Sequence, residues 1–276
     1  MDTALKPPRP RHPDGLELVN ARGEHRGSVE PMTIEGRFAL EDLWVMQGSV
    51  CDLRCKHCYT ASSPGNNRLE QIAFAELAPH LEDAARFGVR KICFTGGEVF
   101  VDGEVLRGRT PRNEEFLKSL GLALEIAPVE VLTNGRLYIR NHFEALQRLT
   151  ERHGSRLTLR VTVESPDAQA HDALRGRGTF AQTTETIRLL AEMGIRVVVA
   201  AERPILENEN DEQIRERYRA LFPGAGIEVS LIENMLEMGH QLATLASRGE
   251  SPHAETPRAM PRLRADGPFR ACSRSS

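Results

Sequence analysis

The sequence lacks any long apolar run and any large excess of charge of one sign. None of its apolar stretches approaches the roughly 20 residues of a membrane-spanning helix, and its first residues, MDTALKPPRPRHPDG, have no apolar core of the kind found in signal peptides. The 36 Lys and Arg nearly balance the 39 Asp and Glu. We therefore expect no nucleic-acid or membrane partner and predict a cytoplasmic protein.

Cysteine is also scarce, and its distribution is uneven. Five cysteines in 276 residues make a poor disulfide framework, but three of them, Cys51, Cys55 and Cys58, form a C-x-x-x-C-x-x-C segment. Thiolates spaced this closely suit a soft metal centre in a reducing compartment. A structural zinc site is the alternative, but it needs four ligands, and the nearby candidate His57 lies inside the segment. Three thiolates on a four-iron cluster leave one iron open to a substrate or cosubstrate.

Composition divides the chain into three parts. Residues 1–40 are rich in Pro, Arg and Gly without sustained periodicity, so we predict a flexible or loosely packed leader. Residues 41–247 alternate short apolar runs with helical patterns, and residues 248–276 turn rich in Pro, Arg and Ser. The last part is predicted to be a linker.

In the middle part a helical pattern follows most of the apolar runs, an alternation that is typical of a parallel sheet. Six βα units predict an α/β fold, a partial (β/α)6 TIM-type barrel of parallel strands. A doubly wound open sheet gives the same alternation, and periodicity does not separate the two. The predicted strands are residues 42–47, 91–94, 130–133, 157–163, 196–201 and 227–232.

Four polar motifs each follow a predicted strand directly. They are CDLRCKHC, TGGE, TNG and ESPD. Because functional groups gather at the carboxyl ends of parallel strands, these motifs are expected to meet on one face of the sheet.

CDLRCKHCY after the first strand and FTGGE after the second resemble the radical S-adenosylmethionine superfamily. This resemblance implies a 4Fe-4S cluster on Cys51, Cys55 and Cys58, with S-adenosylmethionine chelating the open iron through its amino and carboxylate groups. It also implies that an electron from a reducing donor cleaves the sulfonium, and that the resulting 5'-deoxyadenosyl radical abstracts a substrate hydrogen. Two alternatives stay open: a zinc-binding regulatory or interaction module, and a barrel that binds both cofactors without catalysis.

The GGE motif supplies the first predicted contacts to the cosubstrate. Gly96 and Gly97 allow close backbone approach to a ligand, and the Glu98 carboxylate is a candidate acceptor for the methionine ammonium. The family pattern usually continues with Pro, whereas this chain has Val99.

Further motifs resemble family members that carry a SPASM or twitch extension, over roughly residues 42–235. Glu164 and Ser165 stand where relatives usually have Asp-Gly, and we predict that they bond a ribose hydroxyl, with plain capping as the alternative. Arg175 either pairs with the methionine carboxylate or is a solvated loop residue. The TNG motif, residues 133–135, is either a capped turn or a cosubstrate contact. The implied substrate is a peptide or protein, with a small molecule as the second possibility.

The other conspicuous residues are predicted to be structural. Cys93 and Trp44 are expected in the core. The Cys272 thiol matches the position where SPASM and twitch relatives begin their extension, so the resemblance implies that residues 248–276 hold a linker and the start of such an extension, and that the chain is truncated. A free terminal thiol without a role is the alternative. His171, His240, Met235 and Met238 are interpreted as surface, capping or core-edge residues.

Overall fold

The computed structural model describes two short strands near the amino terminus and residues 40–101, 113–202 and 209–232. The chain forms two compact units, Met1–Ala39 and Leu40–Ser276. In the first unit, β1 (Leu16–Val19) pairs antiparallel with β2 (His25–Val29). The sequence analysis predicted neither strand.

The second unit is built on a six-stranded parallel sheet whose strands follow one another in chain order. A doubly wound sheet reverses its strand order at a switch point, and this sheet has none, so the partial barrel prediction is confirmed. Each predicted strand end lies within one residue of the observed one. The strands are β3 (Asp42–Met46), β4 (Lys91–Thr95), β5 (Val129–Thr133), β6 (Leu157–Val163), β7 (Arg196–Glu202) and β8 (Glu228–Ile232).

Helices connect the strands, and two of the described helices begin with side-chain caps. The Asn210 side chain accepts hydrogen bonds from the N–H groups of Glu212 and Gln213, and the Asp167 carboxylate accepts one from the Ala170 N–H. Such caps satisfy N–H groups that a helix leaves unpaired at its amino end. The helices are α1 (Phe74–Arg86), α2 (Asn113–Ile126), α3 (Leu137–Arg140), α4 (Phe143–His153), α5 (Ala168–Arg175), α6 (Thr179–Glu192) and α7 (Asp211–Arg219).

The core lies between one face of the sheet and the helices. In β6, Leu157, Leu159, Val161 and Val163 are fully buried and alternate with half-buried Thr and Arg residues. This two-residue period turns one apolar row toward the helices and one polar row to the other face. Burial of each such side chain contributes about 1.5–3 kcal/mol to folding.

Residues outside the motifs gave mixed results. Cys93 is fully buried, as predicted, but Trp44 is 39% exposed, so its assignment to the core is wrong. Trp44 lies on the face of β3 opposite the buried Leu43 and Val45. His171 is fully buried rather than on the surface. The predictions for Met235, Met238, His240 and Cys272 lie outside the described residues.

Within the described residues, no helix combines the length and the apolar composition needed to cross a membrane.

Candidate active site

The three clustered cysteines lie on the loop that follows β3. Cys51 is buried, and its Sγ accepts a hydrogen bond from the Leu53 N–H at 3.4 Å. The Cys58 N–H donates to the Cys55 carbonyl at 3.2 Å, which closes a turn between these two thiols. The Ser62 N–H donates to the Cys58 Sγ at 3.3 Å. Backbone N–H groups directed at sulfur favour the thiolate, which is the form that binds iron.

The thiols also interact through their charges. Burial raises the pKa of Cys51 and of Cys55, and the Asp52 carboxylate raises the pKa of Cys51 further. The Arg175 guanidinium lowers the pKa of Cys55, whereas the charge of Cys58 raises it. The charge of Cys55 in turn raises the pKa of Cys51. These thiols therefore ionise when a metal supplies positive charge, which couples cluster binding to proton release.

The chemistry of this donor set fits an iron-sulfur cluster. Three thiols on one short loop are the soft ligands that such clusters use, and each thiolate of a four-iron cluster binds a separate iron. In the described ranges, no three His, Cys, Asp or Glu side chains already surround a single metal-ion position.

The GGE motif packs directly against the start of the cysteine loop. The Gly97 N–H donates to the Gly48 carbonyl and the Glu98 N–H to the Val50 carbonyl, both at 2.9 Å. A Cβ on Gly97 would overlap the Val50 carbonyl, and a Cβ on Gly96 would lie 2.7 Å from the Gly48 oxygen. The glycines therefore allow two backbone segments to touch, which places the motif beside the first cysteine.

Glu98 is buried and already bonded within the chain. Its carboxylate accepts hydrogen bonds from the Thr133 hydroxyl and the Asn134 N–H, both at 2.7 Å, and from the Phe100 N–H at 3.2 Å. Burial and then the nearby Asp52 charge raise the pKa of Glu98 to about 7, although the hydrogen bonds oppose the shift. Glu98 thus joins the GGE motif to the end of β5.

The TNG motif forms a capped turn after β5. The Gly135 N–H donates to the Thr133 hydroxyl at 3.1 Å, and the Arg136 N–H donates to the Asn134 side-chain oxygen at 2.8 Å. Gly135 has a φ of +67°, which glycine adopts without strain. The structure therefore has the capped turn that was one of the two predicted interpretations.

A partly buried ion pair ties this turn to the cysteine loop. The Asp52 carboxylate accepts hydrogen bonds from the Asn134 amide at 2.7 Å and from Arg136 Nη1 at 2.9 Å. The Asn134 amide also lies 3.9 Å from the Cys51 Sγ. Sequence reasoning missed Asp52 and Arg136. The signal for Asp52 was an acidic residue among thiolates, a placement that calls for a cationic partner.

Glu164 forms a second connection to the cysteine loop. Its Oε1 accepts a hydrogen bond from Arg175 Nε at 2.6 Å and lies 3.1 Å from His57 Nε2. Burial raises the pKa of Glu164, but Arg175 and His57 outweigh it and bring the pKa to about 2. Arg175 is not the solvated loop residue of one interpretation, because its side chain is 10% exposed and paired. The half-buried Ser165 accepts a hydrogen bond from the Asp167 N–H at 3.1 Å.

The backbone around Glu164 is held by neighbouring helices. The Glu164 N–H donates to His171 Nδ1 at 3.2 Å, and the Tyr218 hydroxyl donates to the Glu164 carbonyl at 2.9 Å. The Lys56 N–H donates to the Leu174 carbonyl at 3.1 Å, which attaches the cysteine loop to α5. The cysteine loop is therefore held against both β5 and β6.

The fold and this site define a class of enzymes. The profile of the Radical SAM superfamily matches residues 47–221, more than half of the chain, so the chain belongs to this superfamily. Its members are enzymes that use a 4Fe-4S cluster and S-adenosylmethionine, which confirms the predicted superfamily, enzyme class and cofactors. The individual residue assignments stay predictions.

Particular relatives include two proteins of Bacillus subtilis (strain 168). The antilisterial bacteriocin subtilosin biosynthesis protein AlbA is 36% identical over 194 residues, which cover 67% of this chain and 38% of AlbA. The sporulation killing factor maturation protein SkfB is 28% identical over 166 residues, which cover 59% of this chain and 35% of SkfB. The chain thus spans less than half of either relative.

A solved structure shows the same fold. Streptococcus suis SuiB bound to S-adenosylmethionine superposes with a TM-score of 0.55 at 16% identity, over 71% of this chain and 41% of SuiB.

Proposed function

We propose that this chain cleaves S-adenosylmethionine reductively and uses the resulting radical to take a hydrogen atom from a peptide or protein. The observation that carries this proposal is the position of the cysteine loop. It lies at the carboxyl end of β3, bonded to the GGE and TNG motifs and to Glu164. When bound, the cluster supplies the electron and S-adenosylmethionine supplies the radical.

The chain's own residues bind and orient these groups in this proposal. Cys51, Cys55 and Cys58 hold the cluster, and Gly96, Gly97, Glu98, Glu164, Ser165 and Arg175 surround the cosubstrate. The free atoms support two of these roles. Among the described residues, the two bonds to the Glu164 carboxylate go to Oε1, so Oε2 remains for a ribose hydroxyl. In the same part of the chain, Arg175 is bonded through its Nε alone, so its terminal nitrogens remain for the methionine carboxylate.

The peptide substrate class rests on the relatives. AlbA and SkfB are named for bacteriocin biosynthesis and killing-factor maturation, and SuiB has been crystallised with its precursor peptide SuiA. We infer that this chain belongs to the same SPASM or twitch subgroup, with a barrel over residues 41–247, a leader over 1–40 and the start of an extension over 248–276. A longer form of the protein would then bind additional iron through cysteines beyond Cys272. We also infer a cytoplasmic location, because free thiols and iron-sulfur ligands persist in a reducing compartment.

The test is anaerobic reconstitution of the full chain with iron and sulfide, followed by reduction with S-adenosylmethionine present. We expect about four irons per chain and formation of 5'-deoxyadenosine. Cys55→Ala should lose both, while Cys93→Ala, a change at a buried cysteine of β4, should keep both. Full iron content in Cys55→Ala would remove the cluster assignment. One zinc per chain would support the zinc module, and a full cluster without cleavage would support a barrel that only binds.

A further inference from the structure

A cavity of about 250 Å³ lies at the end of the sheet opposite the cysteine loop. Its walls come from the amino ends of β4 to β8, whereas the cysteine, GGE and TNG motifs follow the carboxyl ends of β3, β4 and β5. Four cationic and two anionic side chains contribute to the walls. They are Lys91, Arg156, Arg160 and Arg196, and Glu130 and Glu228.

Both carboxylates already have a cationic partner. Arg160 Nη1 bonds Glu130 at 3.2 Å, and Arg196 bonds Glu228 at 3.0 Å. Arg160 also reaches across the sheet, where its Nη2 donates to the Ser230 hydroxyl at 3.2 Å. The anionic side chains of the cavity are thus neutralised by these two arginines, and Lys91 is paired with Asp42 at 3.4 Å. Among the described residues, Arg156 is the cationic side chain of the walls that has no carboxylate partner.

Arg156 therefore carries the remaining positive charge of the cavity walls. It is the last residue of a 3-10 turn, Gly154–Arg156, just before β6, and its Nε is buried without a hydrogen-bond partner. Within the described ranges, no ion pair or hydrogen bond involves its guanidinium. A buried N–H of a charged group that lacks an acceptor is costly, so an anion bound beside Arg156 would stabilise this group.

We propose that the cavity binds a small oxyanion, a phosphate or carboxylate group of a metabolite, and that Arg156 is its main ligand. The guanidinium is a planar fork that bonds such groups through two parallel N–H donors. The volume admits a compact molecule, and the unpaired charge of Arg156 favours an anion over a neutral one. This site is independent of the proposed radical reaction, because it lies at the other end of the strands.

The test is isothermal titration calorimetry of the full reconstituted chain with inorganic phosphate and with citrate as separate probes. We expect saturable binding with a Kd of about 1 mM or below. Arg156→Gln should weaken binding roughly tenfold to a hundredfold, since it removes a charged donor. Arg148→Gln is the matched control, because this exposed arginine on α4 lies outside the cavity. The affinity of the Arg148→Gln protein for either probe should equal that of the unmodified chain. A preference for one probe identifies the source as a phosphate or as a carboxylate compound.

Two results would overturn the proposal. Absence of saturable binding to either probe in the unmodified chain would mean that water alone satisfies Arg156. Equal affinity in Arg156→Gln and the unmodified chain would mean that the anion binds elsewhere. Nuclear magnetic resonance of the arginine Nε–H groups gives a second measurement that does not depend on a variant's folding. Phosphate or citrate should shift one buried Nε–H signal, and a spectrum unchanged by both would count against the site.

Discussion

His57 and Glu164 are 107 residues apart in the chain, yet His57 Nε2 lies 3.1 Å from the Glu164 carboxylate. His57 stands between Cys55 and Cys58, so this contact fixes the middle of the cysteine loop to the end of β6. Arg175 shares the same carboxylate oxygen, and all three side chains are largely buried. The loop is therefore held in place by the protein's own charges.

Glu164→Gln should destabilise the chain because it leaves the buried Arg175 charge without its partner. We expect a loss of about 3 kcal/mol in the free energy of unfolding and faster release of iron from the reconstituted protein to a chelator. Glu185→Gln is the control, since Glu185 pairs with Arg140 on the surface, where loss of a pair costs about 1 kcal/mol or less. Glu164→Asp should restore part of the iron retention. Equal losses in Glu164→Gln and Glu185→Gln would contradict the role of Glu164.

Glu98→Ala should keep the cluster and weaken S-adenosylmethionine binding roughly tenfold to a hundredfold, because a hydrogen bond to a charged group contributes about 1.5–3 kcal/mol. The same change leaves the buried Asn134 N–H without an acceptor. Glu98→Gln, which keeps a side-chain oxygen, should retain more of the affinity. The measurement is cosubstrate binding to iron-replete protein. An affinity unchanged in Glu98→Ala would remove Glu98 from the cosubstrate site.

Gly97→Ala should separate the GGE motif from the cysteine loop, because the added Cβ would overlap the rigid Val50 carbonyl. We expect lower thermal stability and incomplete iron loading. Gly121→Ala is the matched control: Gly121 lies within α2, and nothing stands within 4 Å of an added Cβ. That change should stabilise the chain by up to about 1 kcal/mol. A Gly97→Ala protein with normal stability and iron content would contradict the close approach of the two loops.

His171 should make the stability of the chain depend on pH. Burial, and then Arg175, lower its pKa from 6.5 to about 4, although Glu164 and Asp172 oppose the shift. Between pH 4 and pH 6.5 the unfolded chain therefore binds more protons than the folded chain. The contribution of neutral His171 to the free energy of unfolding is complete above pH 6.5 and is lost as the pH falls toward 4. In His171→Asn, an oxygen can still accept the Glu164 N–H. The check is chemical denaturation across this range, where the slope against pH should be smaller in His171→Asn. Identical slopes would contradict the assignment.

The strands were predictable because local patterns determine them. In β6, apolar and polar residues alternate, and the observed bounds equal the predicted ones. β3 was harder, because Leu43, Trp44, Val45 and Met46 are all apolar and their pattern does not say which face is buried. The exposure of Trp44 was therefore missed. The strands β1 and β2 were missed because they are short and lie among Pro, Arg and Gly residues.

The site was predictable only in part, for a different reason. The position of each motif after a strand placed the cysteines and the GGE motif together. The pairs Asp52 with Arg136 and His57 with Glu164 join residues 84 and 107 positions apart, and no local pattern records such partners. For the same reason, the sequence did not predict that the Glu98 carboxylate accepts a hydrogen bond from Asn134 in the turn after β5.

The exposed Trp44 has an optical consequence. It is the only tryptophan in the chain, so intrinsic fluorescence excited at its absorption band comes from one known place on β3. Cys51 follows it seven positions further along the chain, a span of at most about 25 Å in extended chain. Iron-sulfur clusters absorb in the wavelength range where tryptophan emits, so energy transfer over this distance dims the emission. The fluorescence intensity of Trp44 therefore measures, without an added label, the fraction of molecules in a sample that contain the cluster.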